Sequence, residues 1–189
     1  MVVVSDHGEL FGEHSLFGHS NTLYEPLIRI PMVIAGGTLP RGSVVQEAVS
    51  LVDIMPTLLA MAGIRAPASD GIDLLPLFSD GAERAVRQVR AEQFSPKTLA
   101  HGWARQRPAE VEYLFARKQA VVSGSLKRIV AEDGTDSGYD LSLDPGEERP
   151  FPGSETSLKA EVPEPEGART PPTLDPIQTK MLEVLGYLQ

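Results

Sequence analysis

Cysteine is absent from this 189-residue chain, which excludes disulfides, thiolate metal sites and a cysteine nucleophile within it. No apolar run approaches the roughly eighteen residues that a membrane-spanning helix needs. Positive charge is scarce. With 17 Lys and Arg against 26 Asp and Glu, the net charge is −9. Nucleic acid is therefore not an expected partner, because phosphate binding relies on clustered basic residues. The N-terminus lacks the charged region, apolar stretch and small-residue cleavage site of a secretory signal, so the chain indicates no compartment. A hydrophobic content of 41% is compatible with a packed core, and the length suits one domain or a modest domain with an appended piece.

Histidine is concentrated near the start. His7, His14 and His19 fall within thirteen residues and follow directly on Val2-Val3-Val4. A β-branched run of that kind predicts a buried strand of a parallel sheet, and in open α/β sheets ligands bind where such strands end. Asp6 and His7 stand at that end. Both can give an electron pair to one divalent cation, and Gly8 lets the chain turn sharply just after them. Residues 5 to 22 read as a Gly-rich functional loop, in which Leu10-Phe11-Gly12 and Leu16-Phe17-Gly18 act as two apolar anchors.

Further along, Ile30 to Ala35 predicts a second strand belonging with Val2–Val4 in one mostly parallel sheet. Ser50 to Gly63 predicts a helix with apolar positions 54, 55, 58, 59, 61 and 62 on one face and Gly63 as its stop. Asp70-Gly71-Ile72-Asp73 reads as a turn into a short packed segment. From about residue 86 the pattern changes to strands at 86–94, 115–122, 126–131 and 139–143. Hairpin turns are expected at Ser123-Gly124 and Glu132-Asp133-Gly134. Residues 144–176 hold eight of the sixteen prolines and read as a solvated loop. Residues 177–188 return to helical spacing. The organisation expected is thus 1–85, followed by a smaller antiparallel-sheet unit over 86–189 that ends in a packed helix.

The stretch Ser5-Asp6-His7-Gly8-Glu9-x-x-Gly12-Glu13-His14-x-x-x-Gly18-His19, continuing through Leu23-Tyr24-Glu25 to Ile28-Arg29-Ile30-Pro31, resembles the second metal-binding segment of the sulfatases. Those enzymes belong to the alkaline phosphatase-like superfamily. Val49 to Leu59 with Ala62-Gly63 and Asp70 to Leu75 is similar to the helix after the family's catalytic region. Leu126-Lys127-Arg128-Ile129, Tyr139-Asp140-Leu141 and Asp144-Pro145-Gly146-Glu147 resemble the last hairpin of its small C-terminal sheet. The resemblance implies an α/β fold of that type, a sulfuric ester hydrolase, and a sulfate-ester substrate. It also implies that Asp6 and His7 ligate a divalent metal and that His19 faces the sulfate, where many relatives carry Lys. Calcium is the family expectation. The imidazole ligand pulls toward manganese.

Other residues have plainer readings. His14 either contacts the site or hydrogen-bonds a backbone carbonyl, and Glu9 is a candidate for a supporting role beside it. Arg29 reads as pairing a carboxylate such as Glu25, and Asp53 as a surface or helix-start acid. His101 and Trp103 read as a partly packed loop, and Glu132 to Asp136 as a hairpin turn instead of a calcium loop. The family's formylglycine motif, Cys/Ser-x-Pro/Ala-x-Arg, does not occur. Neither do the two acidic ligands of the family's first strand or its mid-sequence Lys and His. The chain therefore reads as the last part of a sulfatase, with no nucleophile, inactive alone, and partnered by the missing N-terminal half of the fold. The alternatives are a phosphodiesterase or phosphonate hydrolase of the same superfamily, or a non-catalytic remnant that binds a partner through its sheet edge.

Overall fold

The strands Val2–Val4, Met32–Ile34, Lys118–Ser123 and Leu126–Ala131 form on apolar runs with β-branched residues, and much of the first third of the chain is loop and short helix. The structure, a computed structural model, describes residues 1–19, 22–37, 39–79, 87–94 and 113–163. His101, Trp103 and the helix expected over 177–188 lie outside the described residues.

β1 (Val2–Val4) pairs with a later strand, Met32–Ile34, through Val2↔Ile34, Val3↔Val33 and Val4↔Met32. The two do share a sheet, but they run antiparallel, which corrects the parallel orientation expected for this pair. A parallel return needs a crossover that carries the chain back along the sheet. Here the link instead holds a two-stranded hairpin, β2 (Leu10–Phe11) with β3 (Phe17–Gly18), and a single helical turn, α1 (Glu25–Ile28). The chain re-enters at the end it left, and Met32–Ile34 is β4. The two Leu-Phe-Gly echoes are thus the two arms of one hairpin. Only Leu10 acts as an anchor, at 1% exposure.

A 3-10 turn, Leu51–Asp53, opens α2 (Ile54–Met61), with Ser50 and Asp53 forming a reciprocal capping box. Gly63 follows with φ of +70°, the left-handed stop that its position in the sequence implies. The helix packs through an unexpected edge. Asp53, Pro56 and Thr57 are buried, whereas Met55 and Leu58 of the apolar face are exposed. Asp53 is no surface acid. Its carboxylate accepts N–H bonds from Ser50 at 2.8 Å and Ile72 at 2.9 Å, and pairs with Arg87 at 2.6 Å. The Thr57 hydroxyl accepts from the Leu74 N–H at 3.0 Å, which ties the 3-10 segment Leu75–Phe78 to the helix.

The five remaining strands make one antiparallel sheet in sequence order: β5 (Val89–Gln93), β6 (Lys118–Ser123), β7 (Leu126–Ala131), β8 (Asp136–Asp140) and β9 (Phe151–Pro152). The expected strand at 139–143 is displaced toward the N-terminus. Thr135 closes the turn by accepting the Ala131 N–H, so pairing with β7 begins at Asp136. Ala91, Ala120 and Ile129 stand directly opposite one another across β5, β6 and β7. With Tyr139 they form the floor on which Leu23, Tyr24 and Ile28 pack, so the segment after the histidine loop rests on this sheet.

The other face is covered too. Residues 153–163 are not a solvated loop but a strap across β6 and β7, with Leu158 buried. Among the described residues this strap adds no strand to the sheet. It is held instead by side chains: Arg128 donates to the Leu158 carbonyl and Arg117 to the Pro163 carbonyl, both at 2.8 Å, while Gln119 accepts the Glu161 N–H at 3.1 Å.

Two lysines are fully buried in this sheet. Lys118 lies over the Tyr113 ring at 4.4 Å and donates to the Ala116 carbonyl at 3.1 Å. Burial lowers its pKa to about 8, with Asp133 pulling the other way. A folded-state value below the unfolded 10.5 means that this group's favourable contribution exists above pH 10.5 and is lost as the pH falls through about 8. At neutral pH the ammonium is a burden on the fold. Lys118→Met should therefore unfold at higher urea concentration than the parent at pH 7, with the gap narrowing between pH 8 and 10.5. A variant less stable than the parent at pH 7 would contradict this.

Candidate functional site

The loop after β1 is pinned before its side chains are placed. The Gly8 N–H donates to the Leu27 carbonyl at 2.8 Å, and the Ser5 hydroxyl to the His7 carbonyl at 2.6 Å. Gly8 is needed here for close approach. A Cβ on it would overlap the Pro26 carbonyl, while its φ is not among the positive ones. The loop next turns through left-handed backbone at His14 and Ser15, conformations that side chains rarely adopt and that cluster at functional segments.

Asp6 and His7 stand side by side just past the end of β1. Asp6 Oδ1 accepts the His7 backbone N–H at 3.1 Å, and Asp6 Oδ2 lies 3.9 Å from His7 Nε2. On the other side of the ring, His7 Nδ1 is 2.8 Å from the Gly8 carbonyl, which fixes the proton on Nδ1 and leaves the Nε2 lone pair available in the neutral form. His19 stacks on His7 with ring centroids 4.5 Å apart and planes 23° from parallel. Its Nδ1 lies 3.0 Å from Glu9 Oε2.

The donor set suits a divalent cation. Two donors each about 2.4 Å from one ion are separated by roughly 3.4 to 4.8 Å, and the Asp6–His7 spacing falls within that interval. His7, Glu9 and His19 also offer ligand atoms within 4.8 Å of one another. Two or three protein donors are fewer than a hard cation takes, so a cation held here would need further ligands.

Other sequence expectations resolve differently. His14 makes a ring contact that the sequence did not suggest. Its ring stacks on Tyr24 at 3.7 Å, nearly parallel at 10°. Arg29 is exposed, and the Glu25 carboxylate goes instead to Lys127. Glu132 to Asp136 form the β7–β8 turn as expected. The feature that sequence reasoning missed is a buried triad beneath the loop. Lys127 Nζ lies 2.9 Å from Glu25 Oε1 and 2.7 Å from Glu147 Oε1, and Glu147 Oε2 accepts the Glu25 backbone N–H at 2.6 Å. Burial raises the Glu147 carboxyl above its usual range, with Lys127 pulling it down. The hint in the sequence was Lys127, second in the strand Leu126–Ala131, where the alternation places it on one face with Ile129.

Comparison with solved structures places this architecture in the alkaline phosphatase-like fold. A 2-O GAG sulfatase superposes with a TM-score of 0.63 at 21% identity, covering 98% of this chain and 35% of that one. A protein solved with its substrate D-glucosamine-2-N,6-O-disulfate gives a TM-score of 0.57 at 21% identity, covering 77% and 28%. The sulfatase family model matches residues 1–64. Arylsulfatase K of Rattus norvegicus is 34% identical over 153 residues, 78% of this chain and 25% of that relative. The chain belongs to the sulfatase family and covers only part of its fold. Its matches to curated relatives span between 15% and 26% of their length.

Proposed function

We propose that this chain contributes the second metal-binding segment and the C-terminal sheet of a sulfatase that hydrolyses sulfate esters with a divalent cation, calcium in preference to manganese. The observation that carries this reading is the pair of stacked imidazoles. Each has Nδ1 within hydrogen-bonding distance of a fixed acceptor, so each can present Nε2 to one region. Asp6 and His7 hold the cation, His19 faces the sulfate, and Glu9 orients His19. A cation bound there supplies the positive charge that steadies the sulfuryl oxygens as charge develops. His19, when protonated, adds a second positive donor. The nucleophile, formylglycine in the family, is supplied from outside these 189 residues, since they contain neither cysteine nor a Ser-x-Pro/Ala-x-Arg motif.

One observation favours a second reading of His19. Because His7, Glu9 and His19 converge within 4.8 Å, all three side chains have the geometry to ligate the cation themselves. Titration of calcium and manganese into the chain, followed through the ring signals of His7 and His19, separates the two. Asp6→Ala should weaken cation binding by roughly tenfold or more. His19→Ala should leave it nearly unchanged if His19 serves the sulfate, and weaken it comparably if His19 is a ligand. Failure of either cation to perturb His7 would remove the metal site altogether.

A further inference from the structure

The hairpin that carries Glu9 and His19 also displays two phenylalanines that the site described above does not use. In the β2–β3 ladder Leu10 stands opposite Gly18 and Phe11 opposite Phe17. Leu10 is directed inward at 1% exposure, whereas Phe11 and Phe17 are directed outward at 77% and 78%. Continued one step toward the open end, the same register sets residue 9 opposite residue 19. The Glu9–His19 contact at 3.0 Å agrees with that pairing. Residues two apart on a strand share a face and lie about 7 Å from each other. Glu9 and His19 therefore occupy the same face of the ribbon as Phe11 and Phe17, two rungs away with the Leu10–Gly18 pair between them.

A cross-strand aromatic pair can stabilise a hairpin, but two rings this exposed bury little against each other or against the fold. The face is instead amphiphilic, with an imidazole and a carboxylate at one end and two apolar ring surfaces at the other. The spacing between the two rungs is about the width of one six-membered ring. A sulfate ester of a cyclic alcohol or phenol has that same polarity, with an anionic head joined directly to a ring that has apolar faces.

We propose that Phe11 and Phe17 form the platform that receives the six-membered ring of the sulfate ester whose sulfate faces His19, and so help to select ring-borne esters over linear ones. This rests on the assignment of His19 to the sulfate. Pyranose and aryl rings present the same apolar face, and the experiment distinguishes them.

The 189-residue chain with calcium is titrated separately with inorganic sulfate, phenyl sulfate, glucosamine 6-sulfate and a short linear alkyl sulfate, while the aromatic signals of His19, Phe11 and Phe17 are followed by NMR. Phenyl sulfate, glucosamine 6-sulfate or both should shift all three residues and bind about tenfold more tightly than inorganic sulfate. The preferred ester identifies the ring. Phe11→Ala with Phe17→Ala should reduce its affinity to that of inorganic sulfate, with inorganic sulfate binding unchanged. Phe11→Leu with Phe17→Leu keeps the hairpin apolar and should lose most of the preference as well, which guards against simple misfolding. If ring esters shift His19 but leave both phenylalanines unmoved, or if the double variants bind them as well as the parent, the platform is wrong while the sulfate assignment stands. If inorganic sulfate does not perturb His19, the sulfate assignment fails and takes the platform with it. A linear ester bound as tightly as a ring ester overturns the selectivity.

Discussion

The purified 189-residue chain should hydrolyse a chromogenic aryl sulfate no faster than buffer containing the same metal, whereas a longer protein that adds a preceding region with the nucleophile and two acidic ligands should turn it over. Sulfuryl transfer needs an acceptor atom, and loss of a catalytic nucleophile commonly costs several orders of magnitude. In the longer protein, Asp6→Ala should abolish turnover and weaken cation binding. His19→Ala should chiefly lower turnover of the ester. Glu9→Gln keeps the shape of the side chain but removes its charge, so it should give a smaller loss in the same direction as His19→Ala. Robust metal-dependent turnover by the 189-residue chain would overturn the proposal that the nucleophile comes from outside it.

The second large effect concerns stability. Lys127 is completely buried between Glu25 and Glu147, whose side chains are 13% and 0% exposed. Removal of the shared cation strands two carboxylates in a poorly solvated site, a change that costs about 3–5 kcal/mol. That is a large share of what an ordinary domain possesses. Lys127→Met should therefore shift the urea midpoint strongly downward or prevent folding at neutral pH. The sign with pH is also set. A carboxyl whose folded pKa lies above its unfolded value contributes stability at low pH that disappears as the pH rises through the folded value. The variant should accordingly recover part of its loss as the pH is lowered toward 5. Lys127→Met combined with Glu25→Gln and Glu147→Gln should recover much of the remainder. A single variant within about 1 kcal/mol of the parent would show that the triad contributes little.

The parts legible in the sequence were those with a short-range physical signature. Val2–Val4, the stop at Gly63 and the hairpin turns of the late sheet follow from β-branching, a left-handed glycine and turn composition. Asp6, His7 and His19 were recognisable as a group because they crowd one loop. What escaped depends on distant partners. The direction of β1 against β4 is decided by how the intervening loop folds back, and a Val run does not encode that. The buried edge of α2 is set by Asp53 reaching Ile72 and Arg87, whereas periodicity shows only which residues share a face. The strap looked solvated because it lies within 144–176, a stretch that holds eight of the sixteen prolines. Arg117 and Arg128 hold it through its carbonyls, which every sequence possesses.

Glu25 is separated from Lys127 by 102 positions and from Glu147 by 122, so the triad closes two very long loops. Closure of that kind is entropically expensive and slow compared with formation of the local hairpin that bears Glu9 and His19. During synthesis the histidine loop leaves the ribosome well before Lys127 and Glu147, the residues that clamp α1 beneath it. The support of the loop is thus completed long after the loop itself is made, and a ribosome that stalls before Glu147 releases a polypeptide with the histidines present and that support missing.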